Sequence, residues 1–447
     1  MWGKMRRKMF LPPFLSRILN CVRVKHVIAV IGILLLLNFF GAFTHLFESD
    51  FYTEFHYPLE EDIPRLAEQV RRGQKPDVAP ITIYNHTLLH NPSHKCRDKE
   101  FPVAPRLVFL VKSALRNFKR RNAIRVTWGF ERRFSDVTVR TVFLLGVPGS
   151  PEDVETQKLI DIEATSYRDV IQADFVDTYF NNTIKTMTGL RWAVDFCPRA
   201  RFYMLVDDDF YISTKNVLRF VRNPVHYPEY LEEADETIRQ LARKLTLTAV
   251  GNISETVDRK EIQDVLERHP VAHSVDSRKN LWQLRQHLVA PEAAKAQIGP
   301  KSAAAKPQDR QLLDMDLPAD VRLYAGFVFT SSPHRHRTSK WYVDLDEYRW
   351  HMWPPYVSAG ACIFSREALL QLYFASMFTK HFRFDDIYMG IVAMKANIEP
   401  LHSEEFYFQK LTYSGPHSYR YTIASHGYDN PDELAKVWAE IKAAGHA

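Results

Sequence analysis

The sequence predicts an α/β fold with a mostly parallel β-sheet flanked by helices. Between residues 106 and 206, short apolar runs alternate with segments of helical periodicity, and this spacing is typical of parallel strands joined by crossover helices. The chain has 447 residues, 46% of them hydrophobic. It is therefore long enough to bury the core of one large domain or of two ordinary ones.

The predicted elements follow from these patterns in chain order. In the first half, strands are expected at Arg106–Val111, Val137–Leu145, Val170–Gln172 and Arg201–Val206, and helices at Phe118–Trp128, Glu152–Tyr167 and Thr183–Phe196. In the second half, strands are expected at Leu323–Phe329, Lys340–Val343 and Ala361–Phe364, and helices at Arg366–Phe374, Ile387–Ala396 and Pro431–Ala444. The last helix has Pro431 at its first position, which a helix tolerates well.

The first 47 residues predict a membrane anchor. Lys and Arg but no acidic residue occur in the first 26 residues, and an apolar run follows at residues 27–47. Since roughly 20 apolar residues span a bilayer, this run is long enough. We predict a cytosolic tail at 1–26, a transmembrane signal-anchor helix at 27–47 and a luminal remainder, because positive flanks stay in the cytosol. The alternative is a cleaved signal peptide, whose apolar part is typically about 7–15 residues long.

The remainder divides by composition. Residues 48–104 are polar and rich in Pro and His, which predicts a luminal stem. Residues 105–446 form the candidate catalytic domain. Within it, residues 227–318 are dominated by Ala and charged residues and have few aromatics, which favours a polar, partly helical and mobile insertion. A small helical domain with its own role is the alternative.

Charge and cysteine content restrict the partners and the compartment. The net charge of +6 is small for this length, and no basic face with interleaved aromatics stands out, so no nucleic-acid partner is expected. With Cys21 on the cytosolic side, Cys96, Cys197 and Cys362 lie in an oxidising compartment, where they permit one disulfide. The sequence does not choose the pair, and we predict Cys96 with Cys197. Potential N-glycosylation sites are Asn85, Asn181 and Asn252.

Three consecutive aspartates follow a buried strand. Asp207, Asp208 and Asp209 come directly after the apolar run that ends at Val206, at the strand end where open α/β sheets bind ligands. Adjacent carboxylates repel one another unless a cation relieves them, and oxygen ligands suit magnesium or manganese together with a substrate diphosphate. The alternative is a solvated acidic turn. We favour metal binding.

A second acidic pair, Asp385 and Asp386, lies between an aromatic stretch and the start of a predicted helix. Carboxylates at a helix N-terminus interact favourably with its dipole, so capping is the simpler interpretation and is preferred for Asp385. For Asp386 we predict a general base that takes a proton from an attacking hydroxyl. A base and a metal-bound leaving group together suffice for direct displacement.

Several other residues are weaker candidates. Arg121 and Arg125 have the fork geometry that recognises phosphate, although salt bridging within the fold explains them equally well. His426 is a candidate late metal ligand or an ordinary satisfied histidine. The small residues around Ser358 and Gly360, next to Tyr356, leave room for a sugar or allow close packing.

Six ordered blocks resemble the animal β-1,3-glycosyltransferase family, which includes β-1,3-galactosyl- and N-acetylglucosaminyltransferases. The blocks are Arg121-x-x-Ile124-Arg125-x-Thr127-Trp128, Phe143-Leu144-Leu145-Gly146, Asp174-Phe175-x-Asp177 through Lys185, Asp207–Asp209, Ser339-Lys340-Trp341-Tyr342-Val343, and the late group from Tyr348 through Tyr356, Ser358-x-Gly360 and Asp385-Asp386-Ile387-Tyr388-x-Gly390. The resemblance implies a GT-A fold, manganese (or magnesium), a UDP-sugar donor and inversion at the anomeric carbon.

Carried over by position, the resemblance implies a role for each candidate. Asp209 would bind the metal directly, with Asp207 and His426 as further ligands. The donor-binding residues would be Arg121, Arg125, Lys185, Asp207 and Asp208. Asp386 would be the base, and the acceptor and donor-sugar pocket would contain Trp341, Tyr356, Ser358, Gly360 and Asp385. Cys362 is displaced from the usual family position, so family disulfide assignments do not transfer directly.

The resemblance also implies a setting and a substrate. The late blocks are most similar to an insect member that acts on mannosyl-glucosylceramide, which suggests a single-pass type II Golgi membrane enzyme of glycosphingolipid synthesis. UDP-N-acetylglucosamine is the expected donor, and UDP-galactose is the alternative. A non-catalytic luminal protein that binds sugar or a partner is the more distant alternative.

Overall fold

The computed structural model describes residues 24–96, 104–150, 153–249, 259–268, 280, 284 and 317–447. The chain divides into two compact units. The larger comprises Pro58–Phe329 and Pro355–Ala447, and the smaller comprises Met1–Tyr57 and Thr330–Pro354.

The larger unit is built on an eight-stranded sheet with a small second sheet beside it. The strands are β1 Leu88–His90, β2 Leu107–Lys112, β3 Val139–Val147, β4 Val170–Val176, β5 Phe202–Asp207, β6 Tyr211–Ile212, β7 Tyr324–Phe329, β8 Tyr356–Ser365, β9 Leu401–His402, β10 Phe406–Tyr407 and β11 Ala424–Ser425. The large sheet has the order β1-β4-β3-β2-β5-β8-β7-β9, and the small one has the order β10-β11-β6.

The described residues also form helices, which belong to both units. In chain order they are α1 Val24–Phe39, α2 Phe51–Glu54, α3 Ile63–Arg71, α4 Phe118–Val126, α5 Val154–Tyr167, α6 Asn182–Phe196, α7 Thr214–Phe220, α8 Glu229–Ala249, α9 Arg259–Arg268, α10 Arg366–Ser376, α11 Asp385–Lys395 and α12 Pro431–Ala443. The first two belong to the smaller unit.

The predicted α/β fold is confirmed in its central part. Strands β4, β3, β2 and β5 are parallel neighbours, and every residue of β2 is buried. An apolar run buried on both faces is what a helix-covered parallel sheet requires. The sheet is mixed rather than uniform, because β8 pairs antiparallel with both β5 and β7.

Two details differ from the predicted elements. No strand forms at Lys340–Val343, where the structure has only an isolated bridge between His334 and Tyr342. Helix α11 begins at Asp385, two residues before its predicted start. The acidic pair therefore lies in the first turn of that helix rather than in the preceding loop.

Much of the predicted stem is folded into the larger unit. Helix α3 packs against α10 and buries Ile63 and Leu66, and the Arg71 guanidinium donates to the Glu367 carboxylate. Strand β1 joins the large sheet at its edge, and a disulfide links Cys96 to Cys197, as predicted. Composition misled the prediction here, because an amphipathic helix with few apolar positions looks polar overall.

In the smaller unit, the chain after α1 packs against residues 330–354. Buried Arg335 pairs with Glu48 at 2.7 Å, and Ser49 forms a parallel bridge with Trp350. Helix α1 has 16 residues, shorter than the predicted span of 27–47. Among the residues that the structure describes, no helix combines the length and apolarity required to cross a bilayer.

In its described residues, the predicted insertion contains helices α8 and α9. They bury a small cluster of their own, formed by Ile238, Leu241, Ile262, Val265 and Leu284. The start of α8 also reaches the main core through buried Leu231. Most of residues 269–316, including the Ala-rich patch at 303–305, lie outside the described residues.

Candidate functional site

The two acidic motifs meet at the carboxyl edge of the large sheet. Strand β5 ends at Asp207, and its parallel neighbour β2 ends at Lys112, which is the register partner of Asp207. The buried Lys112 Nζ lies 3.1 Å from Asp207 Oδ1 and donates to Asp385 Oδ2 at 2.8 Å. One lysine therefore joins the aspartate triplet to the pair on α11.

Helix α11 presents its two aspartates differently. Asp385 is buried, and its Oδ2 also accepts a hydrogen bond of 2.8 Å from Thr186 on α6. Asp386 accepts 2.8 Å from the backbone N–H of Ile387 and keeps part of its surface exposed. Asp385 is thus held by the protein, whereas Asp386 is partly exposed.

The electrostatic environment gives these carboxyl groups different pKa values. Burial, together with the neighbouring Asp385 carboxylate, raises the pKa of Asp386 to about 7. Burial opposes ionisation of Asp385 as well, but Lys112 and Thr186 outweigh it and lower its pKa. The pKa of Asp207 is raised to about 7 by burial, which Lys112 offsets only in part. A carboxyl group with a pKa near neutrality suits proton transfer.

Asp208 is bound entirely by the protein. Its Oδ2 accepts from Ser113 Oγ at 2.6 Å and Asn117 Nδ2 at 2.9 Å, and its Oδ1 accepts from Arg120 at 3.0 Å. The side chain is buried. The predicted donor contact by Asp208 does not fit this placement, because Asp208 instead orients β5 against helix α4.

Among the buried side-chain oxygens of the triplet, Oδ1 of Asp209 is the one without a hydrogen-bond partner. The Oδ2 atom of Asp209 lies 3.4 Å from His426 Nε2. Burial opposes ionisation, yet the His426 hydrogen bond and the nearby Arg120 charge lower its pKa overall. A buried, ionised carboxylate with a free oxygen fits a cation ligand.

The protein by itself does not complete a metal shell. Across the described part of the chain, no three His, Cys, Asp or Glu side chains are arranged to hold an ion. Magnesium and manganese sites in phosphate-transferring proteins commonly use one or two carboxylates and take their remaining oxygens from the substrate and water. Asp209 therefore fits such a metal only as part of a shared site.

The C-terminal loop brings His426 to Asp209. Strand β11 ends at Ser425, the register partner of Tyr211 on β6, so the next residue lies beside the triplet. The imidazole packs on the Phe210 ring at 4.9 Å, and Asp209 raises its pKa through the hydrogen bond. Gly427 has φ +87°, a conformation that favours glycine and lets the chain turn at this point.

Arg120 is a site residue that the sequence analysis missed. Its guanidinium contacts Asp208 at 3.0 Å, Asp209 at 3.9 Å and Asp429 at 2.6 Å. It ties the start of α4 to both the triplet and the C-terminal loop. The helical spacing of Asn117 and Arg120 is the signal that could have identified it, because residues three apart share a helix face.

Three predicted donor-binding residues lie in the interior instead. Arg121 is fully buried and donates to Glu163 at 2.6 Å. Arg125 makes a bidentate contact with Asp169, both bonds 2.8 Å long. Lys185 donates to Asp177 at 2.7 Å. Direct donor contact is not compatible with these positions, and internal salt bridging, the alternative interpretation, explains Arg121 and Arg125.

The residues predicted for the sugar pocket occur in both units. Gly360 packs against Phe210, since a Cβ there would lie 2.6 Å from Phe210 Cζ. Tyr356 stacks on Phe329 with ring centroids 5.5 Å apart. Ser358, between Tyr356 and Gly360 along β8, is partly exposed. Trp341 belongs to the smaller unit and is half-exposed. The role of each in binding sugar stays a prediction.

The predicted glycosylation sites differ in accessibility. Asn85 is exposed. The Asn181 amide is half-buried and donates to the Val176 carbonyl at 2.7 Å, so modification would require this bond to open. Asn252 lies outside the described residues.

Comparisons with known proteins show which proteins this chain resembles. The sequence model described as galactosyltransferase matches residues 119–239 and 310–404. The β-1,3-galactosyltransferase brn of Drosophila melanogaster is 37% identical over 422 residues, which is 94% of this chain and 96% of that protein. The β-1,3-galactosyltransferase 1 of Mus musculus is 24% identical over 82% of each chain. The human lactosylceramide 1,3-N-acetyl-beta-D-glucosaminyltransferase is 26% identical over 78% of this chain and 68% of its own.

Proposed function

The chain belongs to the galactosyltransferase family and is a hexosyltransferase, and from that membership we propose that it forms β-1,3 linkages, moving a hexose from a uridine diphosphate sugar to the 3-hydroxyl of a glycan. The observation that carries the proposal is the convergence of the two acidic motifs on Lys112. This convergence supports a leaving-group site and a base at one edge of the sheet.

Asp386 is the proposed base. It is partly exposed, lies in the first turn of α11, and has a pKa near 7. In the reaction, the carboxylate takes the proton from the acceptor 3-hydroxyl as that oxygen bonds to the anomeric carbon. The bond from the anomeric carbon to the diphosphate breaks at the opposite face, and UDP leaves with the electron pair. Attack opposite the leaving group inverts the anomeric configuration.

The leaving-group side centres on Asp209. Its unpartnered oxygen would hold a divalent cation, with His426 as a second protein ligand and the donor diphosphate and water supplying the remaining ligand atoms. Asp207, the other predicted ligand, pairs with Lys112. When bound, manganese or magnesium would neutralise negative charge on the departing diphosphate. Arg120 adds a fixed positive charge beside Asp209. Lys112 limits repulsion between Asp207 and Asp385, so that both carboxylates can occupy one site.

Two UDP-sugars are candidate donors, and an assay with both distinguishes them. Sequence resemblance favours UDP-N-acetylglucosamine and a mannosyl-glucosylceramide acceptor. The 37% identical Drosophila protein is named a β-1,3-galactosyltransferase, which favours UDP-galactose as the second candidate. Purified protein should be incubated with manganese, either donor and a mannose-terminated glycolipid, and the product linkage determined. A β-1,3 product from one donor supports the proposal, and failure of both donors on a panel of glycan acceptors contradicts it.

We place this activity at the luminal face of a Golgi membrane. The apolar side chains of α1 support attachment, because residues such as Ile28 and Leu35 are 65% and 63% exposed, and exposed apolar surface of this extent favours a lipid environment. Protease protection of intact Golgi vesicles tests the arrangement. Digestion of the larger unit without detergent would contradict it.

A further inference from the structure

The smaller unit exposes large apolar and aromatic side chains in both of its chain segments. In the segment that follows α1, Leu46, Phe47 and Tyr52 are 75%, 73% and 75% exposed. In the segment 330–354, Trp341 is 50% exposed. Large apolar side chains that are exposed near one another commonly mark an interaction site.

Close contacts at the end of α1 join these two segments. A Cβ at Gly41 would lie 2.5 Å from the Arg335 carbonyl oxygen, and the Arg335 guanidinium donates to Glu48 at 2.7 Å. His334, the neighbour of Arg335, has its ring centroid 5.9 Å from that of Trp341. This chain of contacts places Trp341 near the end of α1, although the two are far apart in sequence.

The apolar run at residues 27–47 continues directly into the folded part of this unit. Phe47 is followed by Glu48, which pairs with Arg335, and by Ser49, whose backbone N–H donates to the Arg349 carbonyl at 2.9 Å. Two residues of extended chain cover at most about 7 Å, and one headgroup layer of a bilayer is about 5–8 Å deep. With residues 27–47 in a membrane, the segment 330–354 therefore begins at the membrane surface.

The chemistry of the exposed residues favours lipid over a second protein chain. Tryptophan and tyrosine are enriched at the boundary between lipid and water, because each joins an apolar ring to a polar group that stays hydrated. Lys340 Nζ lies 5.9 Å from the Trp341 ring, and lysines at this depth extend their ammonium groups toward lipid phosphates. Lysine is depleted at interfaces between proteins.

We propose that Leu46, Phe47, Tyr52 and Trp341 form a surface that enters the headgroup layer of the bilayer. The inference rests on the proposed membrane attachment. It goes beyond that attachment because it adds a second contact, made by residues 330–354, which are remote from the anchor in sequence. Two contacts fix the depth of the smaller unit, whereas a flexible stem would leave it free to move.

The test is lipid quenching of Trp341 fluorescence in the full chain, reconstituted into phosphatidylcholine vesicles with and without brominated acyl chains. The emission that Trp341 contributes is the difference between the wild type and Trp341→Phe. This difference should be largely lost in the brominated vesicles. Trp438→Phe is the matched control, because Trp438 is buried and belongs to the larger unit. The emission that it removes should be equal in both lipids.

Flotation of the same vesicles separates the two possible failures. If the wild type does not float with the lipid, both the attachment and this inference are overturned. If it floats and the Trp341 emission is equal in both lipids, the attachment stands and only this inference is overturned; shielding of that emission from iodide would then assign the surface to a protein partner. Phe47→Trp adds a second probe that does not depend on the folding of Trp341→Phe. Its added emission should also be quenched by brominated lipid, and an unquenched signal contradicts the proposal.

Discussion

Lys112 Nζ donates a 2.8 Å hydrogen bond to Asp385 Oδ2 across 273 positions of sequence. The lysine terminates β2 and the aspartate begins α11, so a single contact connects the parallel part of the sheet with the helix that carries the proposed base. Both partners are buried. Their geometry therefore determines where Asp386 lies.

Replacing Lys112 should damage both stability and activity. Lys112→Met leaves Asp385 buried without its cation, and breaking a buried pair costs about 3–5 kcal/mol. Denaturant unfolding would measure this loss. Lys119→Met is the control, because Lys119 is exposed on the nearby helix α4 and its replacement should cost less than about 0.5 kcal/mol. Equal stability of the two variants would show that the Lys112 contact contributes little.

Asp386→Asn should abolish transfer while retaining donor binding. The amide cannot accept the acceptor proton, and loss of general base catalysis typically lowers the rate about 10²–10⁴-fold. Turnover and UDP-sugar affinity should be measured on the same preparation. Asp136→Asn, at an exposed loop position, is the control and should leave both unchanged. A near-native rate for Asp386→Asn would place the base elsewhere.

The rate should fall as the pH falls through about 7. Because the pKa of Asp386 is raised to about 7, the group is protonated below that pH and cannot act as a base. An unperturbed aspartate would keep the rate constant down to about pH 4. Turnover measured from pH 5 to 9 with saturating manganese and donor checks this. A flat profile down to pH 5 contradicts the assignment.

Replacing Arg120 should mainly lower the transfer rate, whereas replacing Arg121 should mainly lower stability. Arg120 is partly exposed beside Asp208 and Asp209, so Arg120→Ala should reduce transfer by about tenfold or more with a minor change in melting temperature, because a charge-assisted bond is worth about 1.5–3 kcal/mol. Arg121 is fully buried with Glu163, so Arg121→Met should mainly lower stability. Transfer rates and unfolding curves of both variants show whether each arginine contributes to activity or to stability. If Arg121→Met folds normally and loses donor affinity, the buried-pair interpretation is wrong.

The difference between those arginines shows what sequence could predict. The apolar run before Asp207 was enough to place the triplet at a sheet edge. The run predicts a buried strand, and the carboxylates that follow it directly must lie at the carboxyl end of that strand. The rotation of α4 was not predictable from composition, since Arg120 and Arg121 differ by about 100° around a helix. Lys185 was assigned to the donor by resemblance to a family block, and its contact with Asp177 depends on how α6 packs in the fold.

Lys112 was missed for a different reason. Its role depends on the register between β2 and β5, which no local pattern specifies. The antiparallel position of β8 beside β5 was equally inaccessible, because about 150 residues, including the insertion, separate the two strands. Long-range pairings are decided by packing rather than by local sequence.

Metal removal should distinguish the two acidic motifs. Chelation should abolish transfer, and manganese should restore it, because the diphosphate leaves poorly without a neutralising cation. Asp209→Asn removes the ionised ligand and should raise the manganese concentration needed for half-maximal rate by at least about 10–100-fold, which is the typical cost of replacing even a residue that only supports a metal ligand. Asp386→Asn should leave the affinity for manganese unchanged. This affinity is measured without turnover, for example by calorimetry in the presence of UDP. If Asp209→Asn binds manganese as the wild type does, the cation lies elsewhere, and the orphaned oxygen of Asp209 must then be satisfied by water.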